Sequence, residues 1–567
     1  WCGLWRAGRL LWASAMCWAV MFTAFMVALT LTSVANVLVT MAIGPMVTAL
    51  FSSIFLGKRL ANRTWLAILA AGAGIVWMFG AEAGSGASLL GSLVACAVPV
   101  AGAANWTLLQ RVGEAGAEAP PRCLAGSAGE LRRARRSTDF VVHAGGMQLA
   151  IPRFQFRFVP AMGNVIHPGN FHPVGAQVGA EALVDRALAA TPKRPAAGAG
   201  GSWLLVGGSG GFGSAARVAL GAAHGANTLN VSFDPGPQPD SSNKQRKIGS
   251  PGFHRSLAIE RRLRGLGLIA RSLTGDAFDP AVREQTIAEL REHFGGRLHG
   301  LVWALAAPRA LDPRTGKPVQ SVLKPLGKPA TIRTFTGRGE GPEDLPRVAE
   351  FTLPPGNPEE AVATQYVMGG RIVEQWVDAL LAADLLAPGF SLVTISYRGN
   401  PLNAAVYRDG LIGLAKADLE FHTRALHELL QARVGGRAVA VEGPAVVTEA
   451  SGGIPGVPYY MAQLLDVMGE RFEDPLASML RMFSSKLPLG TGAAELDEHG
   501  LLRMDDRELT AEVQDEMQRR FASLRPGDPF DGALYQRFMD EYAQTRGFGQ
   551  PGVDYEAEFD TDAVCRA

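Results

Sequence analysis

The hydropathy pattern divides the chain into two unlike parts. The first hundred or so residues carry almost no charge and contain four apolar runs, at 11–32, 36–56, 65–81 and about 88–109. Each is long enough to be read as a membrane-spanning helix, and four in succession exclude a cleaved signal peptide. The last two are rich in Gly and Ala, which suits helix packing in a bilayer. Arg6 and Arg9 precede the first run, Lys58, Arg59 and Arg63 fill the second loop, and Arg111 follows the fourth. The positive-inside rule then places both ends of this segment, and everything after residue 112, in the cytoplasm.

Beyond residue 112 the pattern is that of a globular protein. Residues 113–161 read as a linker containing the basic run Leu131–Ser137, either a solvated stretch or a contact for anionic lipid. From Met162 onward, strand-like and helix-like periodicities alternate. Strands are predicted at Trp203–Val206, Thr228–Phe233, Leu298–Leu305, Phe390–Tyr397 and Ala438–Val441. Helices are predicted at Ser214–Gly221 and at about 257–268, 280–294 and 370–384, and 308–357 reads as irregular. This alternation predicts a doubly wound, Rossmann-like parallel sheet with extra helical elements in 162–567, preceded by about four transmembrane helices.

Between the first strand and its helix lies Gly207-Gly208-Ser209-Gly210-Gly211-Phe212-Gly213. A strand, a glycine turn and a helix N-terminus together make a site for a dinucleotide pyrophosphate. The next strand ends in Phe233-Asp234, where a carboxylate can accept from ribose hydroxyls and repel a 2′-phosphate. NADH is therefore the expected cofactor.

Composition narrows the picture further. A chain of 567 residues has room for about three or four domains. A net charge of +1 and dispersed basic residues argue against a nucleic-acid partner. The five cysteines lack metal-ligand spacing and fit a reducing compartment. No metal is expected, since the ten histidines form no His-x-x-x-His or Glu-x-x-His pattern. Asp505-Asp506 reads as a solvated helix face and His172 as a turn residue near the cofactor. The chain begins at Trp1, which suggests an incomplete N-terminus.

Tyr407 and Lys416, nine positions apart, are the candidate reaction pair. A phenol can donate to a carbonyl oxygen, and a nearby ammonium is expected to lower its pKa. Nine residues of regular helix would put the two on opposite faces, so Tyr407 precedes the helix proper or the turn is distorted.

The N-terminal segment resembles the EamA-type drug/metabolite transporters in Thr32–Asn36, Gly44-Pro45, Phe55–Leu60 and Trp65–Ala67. That family normally has about ten spans in two repeats; only about four are present here. The remainder resembles the FabV-type enoyl-acyl-carrier-protein reductases, also called trans-2-enoyl-CoA reductases. The likeness lies in Phe171–Gly175, the glycine turn, Gly275–Phe278, Leu305–Pro308, Leu323–Gly327, Val367–Gly370, Ser396-Tyr397, Tyr407 to Lys416, Val447–Ser451 and Gly549–Tyr555. It implies NADH-dependent reduction of enoyl-ACP or enoyl-CoA in fatty-acid synthesis by a monomeric catalytic domain.

The resemblance makes Tyr407 the proton donor, Lys416 its cofactor-contacting partner and Tyr397 a substrate contact. Gly207, Gly208, Ser209, Gly210, Gly211, Phe212, Phe233, Asp234, Asp276, Ala277, Leu305, Ala306, Val446, Val447 and Thr448 are implied to line the NADH site. Asp234 stands where the family commonly has Glu. Arg398–Val406, Arg408-Asp409 and Leu414 also depart from the family pattern, at the expected acyl entrance. A short-chain-type carbonyl reductase and a transporter fragment fused to a reductase-like domain are the alternatives.

Overall fold

The computed structural model describes residues 148–337, 345–490 and 492–565, the pair Arg135–Arg136, and parts of 16–31 and 94–104. The chain divides into two compact units, Trp1–Ala128 and Gly129–Ala567. In the first, residues 23–28 and 97–104 are helical. Ala28 and Ala95 are buried against Phe25 and Val94, so small side chains allow the close packing. The runs at 36–56 and 65–81 lie outside the described residues. Among the described residues, no helix is long and apolar enough to cross a membrane.

The second unit is built on an eight-stranded sheet. Its strands are β1 (Arg135–Arg136), β2 (Ser202–Val206), β3 (Asn227–Ser232), β4 (Ala270–Thr274), β5 (Leu298–Trp303), β6 (Leu386–Ser396), β7 (Arg437–Glu442) and β8 (Leu501–Arg503). The order is β1-β4-β3-β2-β5-β6-β7-β8, all parallel except β1, which pairs antiparallel with β4. The chain turns back at β2, so the strand order reverses between β2 and β5. Such a switch point opens a crevice at the carboxyl ends of the strands.

Both faces of the sheet are covered, as near-continuous apolar strands require. On one face Val282 and Leu290, Trp376 and Val377, and Leu419 and Leu426 project from three helices onto Leu204, Leu229 and Leu301. The helices are Pro280–His293, Arg371–Ala382 and Leu411–Val434. On the other face Val184, Ala216, Ile259 and Met479 cover Leu205, Val302 and Val393. A third core, around Tyr459, Phe530, Phe538 and Tyr542, joins the C-terminal helices to Phe335.

Most predicted elements are present, with ends shifted by a few residues. The 257–268 helix begins earlier, at Pro251, because Ser250 caps it by accepting from the Phe253 N–H at 3.1 Å. The stretch 308–357 is not irregular. It holds two antiparallel pairs, Arg309–Leu311 with Pro318–Gln320 and Ala330–Phe335 with Val348–Leu353. The Pro and Gly of the connecting turns hid these strands. Paired structure also starts before 162: Gln148–Leu149 pairs with Phe559–Asp560, and Phe156–Val159 with Val165–Pro168.

Candidate active site

The parallel sheet brings six sequence-predicted positions to one edge. Gly207 follows β2, Phe233-Asp234 follow β3, Asp276 follows β4, Leu305 follows β5, Tyr397 follows β6, and Val446 lies a few residues beyond β7. The glycine turn is shaped by contacts only glycine permits. Gly207 has φ +86°, and a Cβ there would lie 2.9 Å from the Leu305 nitrogen. A Cβ on Gly213 would lie 2.1 Å from the Gly207 oxygen. The Gly208 N–H is fixed by the buried Asn230 side chain at 2.9 Å. The helix Gly211–Val218 then opens with its first N–H groups pointing out of the turn.

Thr448 faces this turn: its methyl lies 3.3 Å from where a Gly211 Cβ would stand. The Thr448 N–H donates to the Ser451 hydroxyl at 2.8 Å, and that hydroxyl donates to the Val446 carbonyl at 3.1 Å. Val446 and Val447 are buried. Phe212 lies under Gly443, where a Cβ would come within 3.1 Å of its ring. Asp234 accepts from the Ser250 hydroxyl at 3.0 Å and lies against Gly252. Phe233 beside it is exposed. Asp276 accepts from the Phe278 N–H at 3.0 Å, and burial raises its pKa. Ala277 is buried, and its carbonyl accepts from Trp376 Nε1 at 2.9 Å. Ala306, after β5, is exposed.

Tyr407 sits in the turns of 401–409, ahead of the Leu411–Val434 helix that carries Lys416. The nine-residue spacing is thus not a helical one. Gly413 makes this entry possible, since a Cβ there would lie 2.0 Å from the Arg408 oxygen and 2.5 Å from that of Tyr407. The Tyr407 ring packs among Val406, Ile412, Ile332 and Leu353. It meets Tyr397 edge to face, with centroids 4.9 Å apart. Both phenols are pushed above the ordinary tyrosine value by burial. The expectation that Lys416 draws Tyr407 downward is therefore corrected: desolvation is the cause of the shift, and it raises the phenol. Burial also lowers the Lys416 pKa, opposed by Glu442 and Glu420.

Three groups of residues were not identified from the sequence. Asn403 and Asn400 donate to the Tyr397 hydroxyl at 3.2 and 3.5 Å. Glu508 accepts from the Tyr460 hydroxyl at 2.7 Å, from Asn400 at 3.4 Å and from the Ala445 N–H at 2.6 Å. Arg398 pairs with the buried Glu420, donating to it from Nε at 3.1 Å, and lies 3.7 Å from Glu442. Glu442 is fully buried, neither of its carboxylate oxygens accepts a hydrogen bond, and burial pushes its pKa up to about 7. The Glu508 and Arg398 contacts join residues 22 to 108 positions apart, which no local spacing reveals.

Two minor expectations change. Asp505 and Asp506 do not form a solvated helix face. Asp505 is buried and bound by Arg503 at 2.8 and 2.7 Å, and Asp506 pairs with Arg481 and Lys486. His172 caps the Pro173–Ala190 helix by accepting from the Gly175 N–H at 3.0 Å, and it packs on Tyr555, Phe548 and Phe559. Burial lowers it to about 4, so it is neutral. Glu289, Glu292 and His293 bring their ligand atoms within 4.8 Å of one another, but Glu289 is engaged by Arg271 at 2.8 Å.

The chain is similar to known proteins over most of its length. Residues 160–239 match the NAD(P)H binding domain of trans-2-enoyl-CoA reductase, and 247–488 match its catalytic region. Residues 3–80 match the EamA-like transporter family. The chain is 34% identical over 396 residues to an enoyl-[acyl-carrier-protein] reductase [NADH] of Opitutus terrae, covering 69% of this chain and 95% of that protein. It is 36% identical over 391 residues to one of Streptomyces avermitilis, with the same coverage. Two solved structures are similar. Clostridium acetobutulicum trans-2-enoyl-CoA reductase in complex with NADH has TM-score 0.64 and 29% identity, covering 74% of this chain and 99% of that one. The Treponema denticola enzyme in complex with NAD has TM-score 0.61 and 30% identity, covering 72% and 98%.

Residues 496–559 match a family described as the enoyl reductase FAD binding domain. Their geometry does not fit a flavin dinucleotide. The segment holds one strand of the sheet, β8, and the turn after it carries no glycine loop but Asp505, Asp506 and Glu508, already engaged by Arg503, by Arg481 and Lys486, and by Tyr460. The strand–glycine turn–helix geometry at 202–218, with Asp234 on the next strand, does fit NADH. The second unit of this chain belongs to the trans-2-enoyl-CoA reductase family, and it is an NADH-dependent enoyl-thioester reductase that carries an EamA-like segment at its N-terminus.

Proposed function

We propose that Tyr407 is the acid group of this reductase, that Lys416 supports it and the cofactor, and that Tyr397 contacts the substrate. The observation that carries this reading is the contact between the half-buried Tyr397 and the buried Tyr407, the first of which follows a strand ending at the same sheet edge as the glycine turn. Gly207–Phe212, Asp234, Asp276-Ala277, Leu305-Ala306 and Val446–Thr448 would hold NADH, with Phe233 beside the adenosine. When bound, NADH supplies a hydride to the β-carbon of a trans-2-enoyl thioester.

The residues act where charge develops. Negative charge accumulates on the thioester oxygen, and the neutral Tyr407 hydroxyl donates a hydrogen bond or proton to it. Burial makes Lys416 harder to charge, and Glu442 and Glu420 oppose that effect. Asn400 and Asn403 donate to the Tyr397 oxygen, leaving its own hydrogen to donate toward the substrate. One proton then reaches the α-carbon, by tautomerisation of the enol or from solvent to the enolate, and completes saturation.

The same reading has the catalytic unit acting as a monomer in the cytoplasm on enoyl-CoA or enoyl-ACP. Its sheet is covered on both faces, which leaves no sheet face in need of a partner. The spans read at 11–109 would attach it to the membrane. A transporter fragment with a fused reductase-like domain is the second reading, favoured only by the EamA-like match. The test is NADH oxidation by the full chain with a short trans-2-enoyl-CoA and, separately, a 3-ketoacyl-CoA. Saturated acyl-CoA from the first alone supports enoyl reduction; turnover of the ketoacyl substrate alone indicates a carbonyl reductase.

A further inference from the structure

A charged cluster outside the residues assigned above closes on the glycine turn. Arg255, on the Pro251–Gly265 helix, donates from Nε to the Ser209 carbonyl at 2.7 Å and from Nη1 to the Thr545 carbonyl at 2.8 Å. Its Nη2 pairs with Glu449 and lies 3.1 Å from where a Gly210 Cβ would stand. Glu449 follows Thr448, and its other oxygen takes Arg546 Nη1 at 3.0 Å. Arg546 also donates to the Asn170 carbonyl at 3.3 Å. Burial alone would raise the Glu449 pKa, but the two guanidiniums hold it below the usual range. Two cations and one anion leave one net positive charge against the turn.

We propose that Arg255 is a binding residue for the cofactor pyrophosphate, and that Glu449, held by Arg255 and Arg546, is a positioning residue that fixes the Thr448 loop over the glycine turn. The inference rests on the reading that Gly207–Phe212 holds the pyrophosphate. A guanidinium has five N–H donors, so three protein contacts leave Arg255 with donors to spare. The one left on Nη2 lies beside Gly210, whose missing side chain leaves room for a phosphate oxygen. Charge-assisted bonds from Arg to phosphate are among the stronger polar contacts. Glu449 spends part of that charge and gains a link between the turn, the Thr448 loop and the C-terminal segment. The pyrophosphate and nicotinamide halves of the site are thereby joined through one carboxylate.

The test is calorimetric titration of the full chain with NADH and with ADP, which keeps the pyrophosphate and lacks the nicotinamide. Arg255→Met should weaken both by roughly ten- to a hundredfold. Arg255→Lys keeps the charge but cannot hold three partners, and should weaken ADP several-fold. Glu449→Gln removes the anion, so ADP should bind as well as before or tighter, while NADH weakens by about tenfold. Gly208→Ala, whose Cβ would lie 2.5 Å from the Asn230 Oδ1, tests the turn itself. If Gly208→Ala weakens ADP and neither Arg255 variant does, the Arg255 assignment fails and the turn stands. If none of these changes alters ADP binding, the pyrophosphate is held elsewhere and both fail. Equal losses of ADP and NADH in Glu449→Gln would make Glu449 a general structural ion pair and overturn its positioning role.

Discussion

The rings of Tyr397 and Tyr407 meet edge to face, at an interplanar angle of 86°. The contact depends on the rings, whereas the Tyr397 hydroxyl is held by Asn400 and Asn403. Tyr397→Phe should therefore leave Tyr407 in place but strand two amide donors. The expected result is a loss of about 1–2 kcal/mol in stability and a KM for the enoyl substrate raised about tenfold. Chemical denaturation and steady-state kinetics check it; an unchanged KM would remove Tyr397 from the substrate site.

Asp234 depends on an absent side chain. A Cβ on Gly252 would lie 2.1 Å from Asp234 Oδ1, so Gly252→Ala must displace the carboxylate. Alanine suits the helix at that position, and thermal stability should change little. The KM for NADH should rise about tenfold, and the preference over NADPH should shrink. Paired measurements with the two nucleotides decide it.

Arg398 departs from the family pattern yet has a defined role in the fold. It is the counter-charge for Glu420, buried on the Leu411–Val434 helix, and approaches Glu442. Arg398→Met leaves those carboxylates without it and should cost about 3–5 kcal/mol. A melting temperature within a degree of the parent would show that the cluster has another counter-charge.

Much of this was legible in the sequence, and the exceptions have a common cause. The alternation of apolar strands and amphipathic helices predicts the doubly wound sheet, and glycine and acid at successive strand ends predict the cofactor crevice. The Tyr407–Lys416 spacing left the helix start open, and Gly413 decides it by letting the chain fold back on Tyr407. The polar shell was not legible. Arg255, Glu449 and Arg546 meet across some 290 residues of chain, and Glu508 reaches Ala445 across 63. The hairpins of 308–357 were hidden because one has strands of only three residues and Pro and Gly crowd the connections around both.

Glu508 gives the protein a pH dependence of definite sign. Burial pushes its carboxyl up to about 7, against hydrogen bonds from Ala445 and Tyr460 that favour the ion. The folded protein thus holds this proton more tightly than the unfolded chain. The stability it contributes is complete below about 4.5 and is lost as pH rises through about 7. Glu508→Gln cannot ionise. The stability of the parent relative to this variant should fall between pH 5 and 8, by at most about 3 kcal/mol. A pH-independent difference would contradict the shift.

The central claim is that the Tyr407 hydroxyl meets the charge that develops on the thioester oxygen. The most direct measurement is single-turnover NADH oxidation by the full chain with a short trans-2-enoyl-CoA, comparing Tyr407 with Tyr407→Phe. Phenylalanine keeps the ring among Val406, Ile412 and Tyr397 and removes only the hydroxyl. The account predicts a rate lower by about 10²–10⁴-fold, with NADH affinity unchanged within a factor of about two. A Tyr407→Phe enzyme that turns over at a rate close to that of the parent would contradict it.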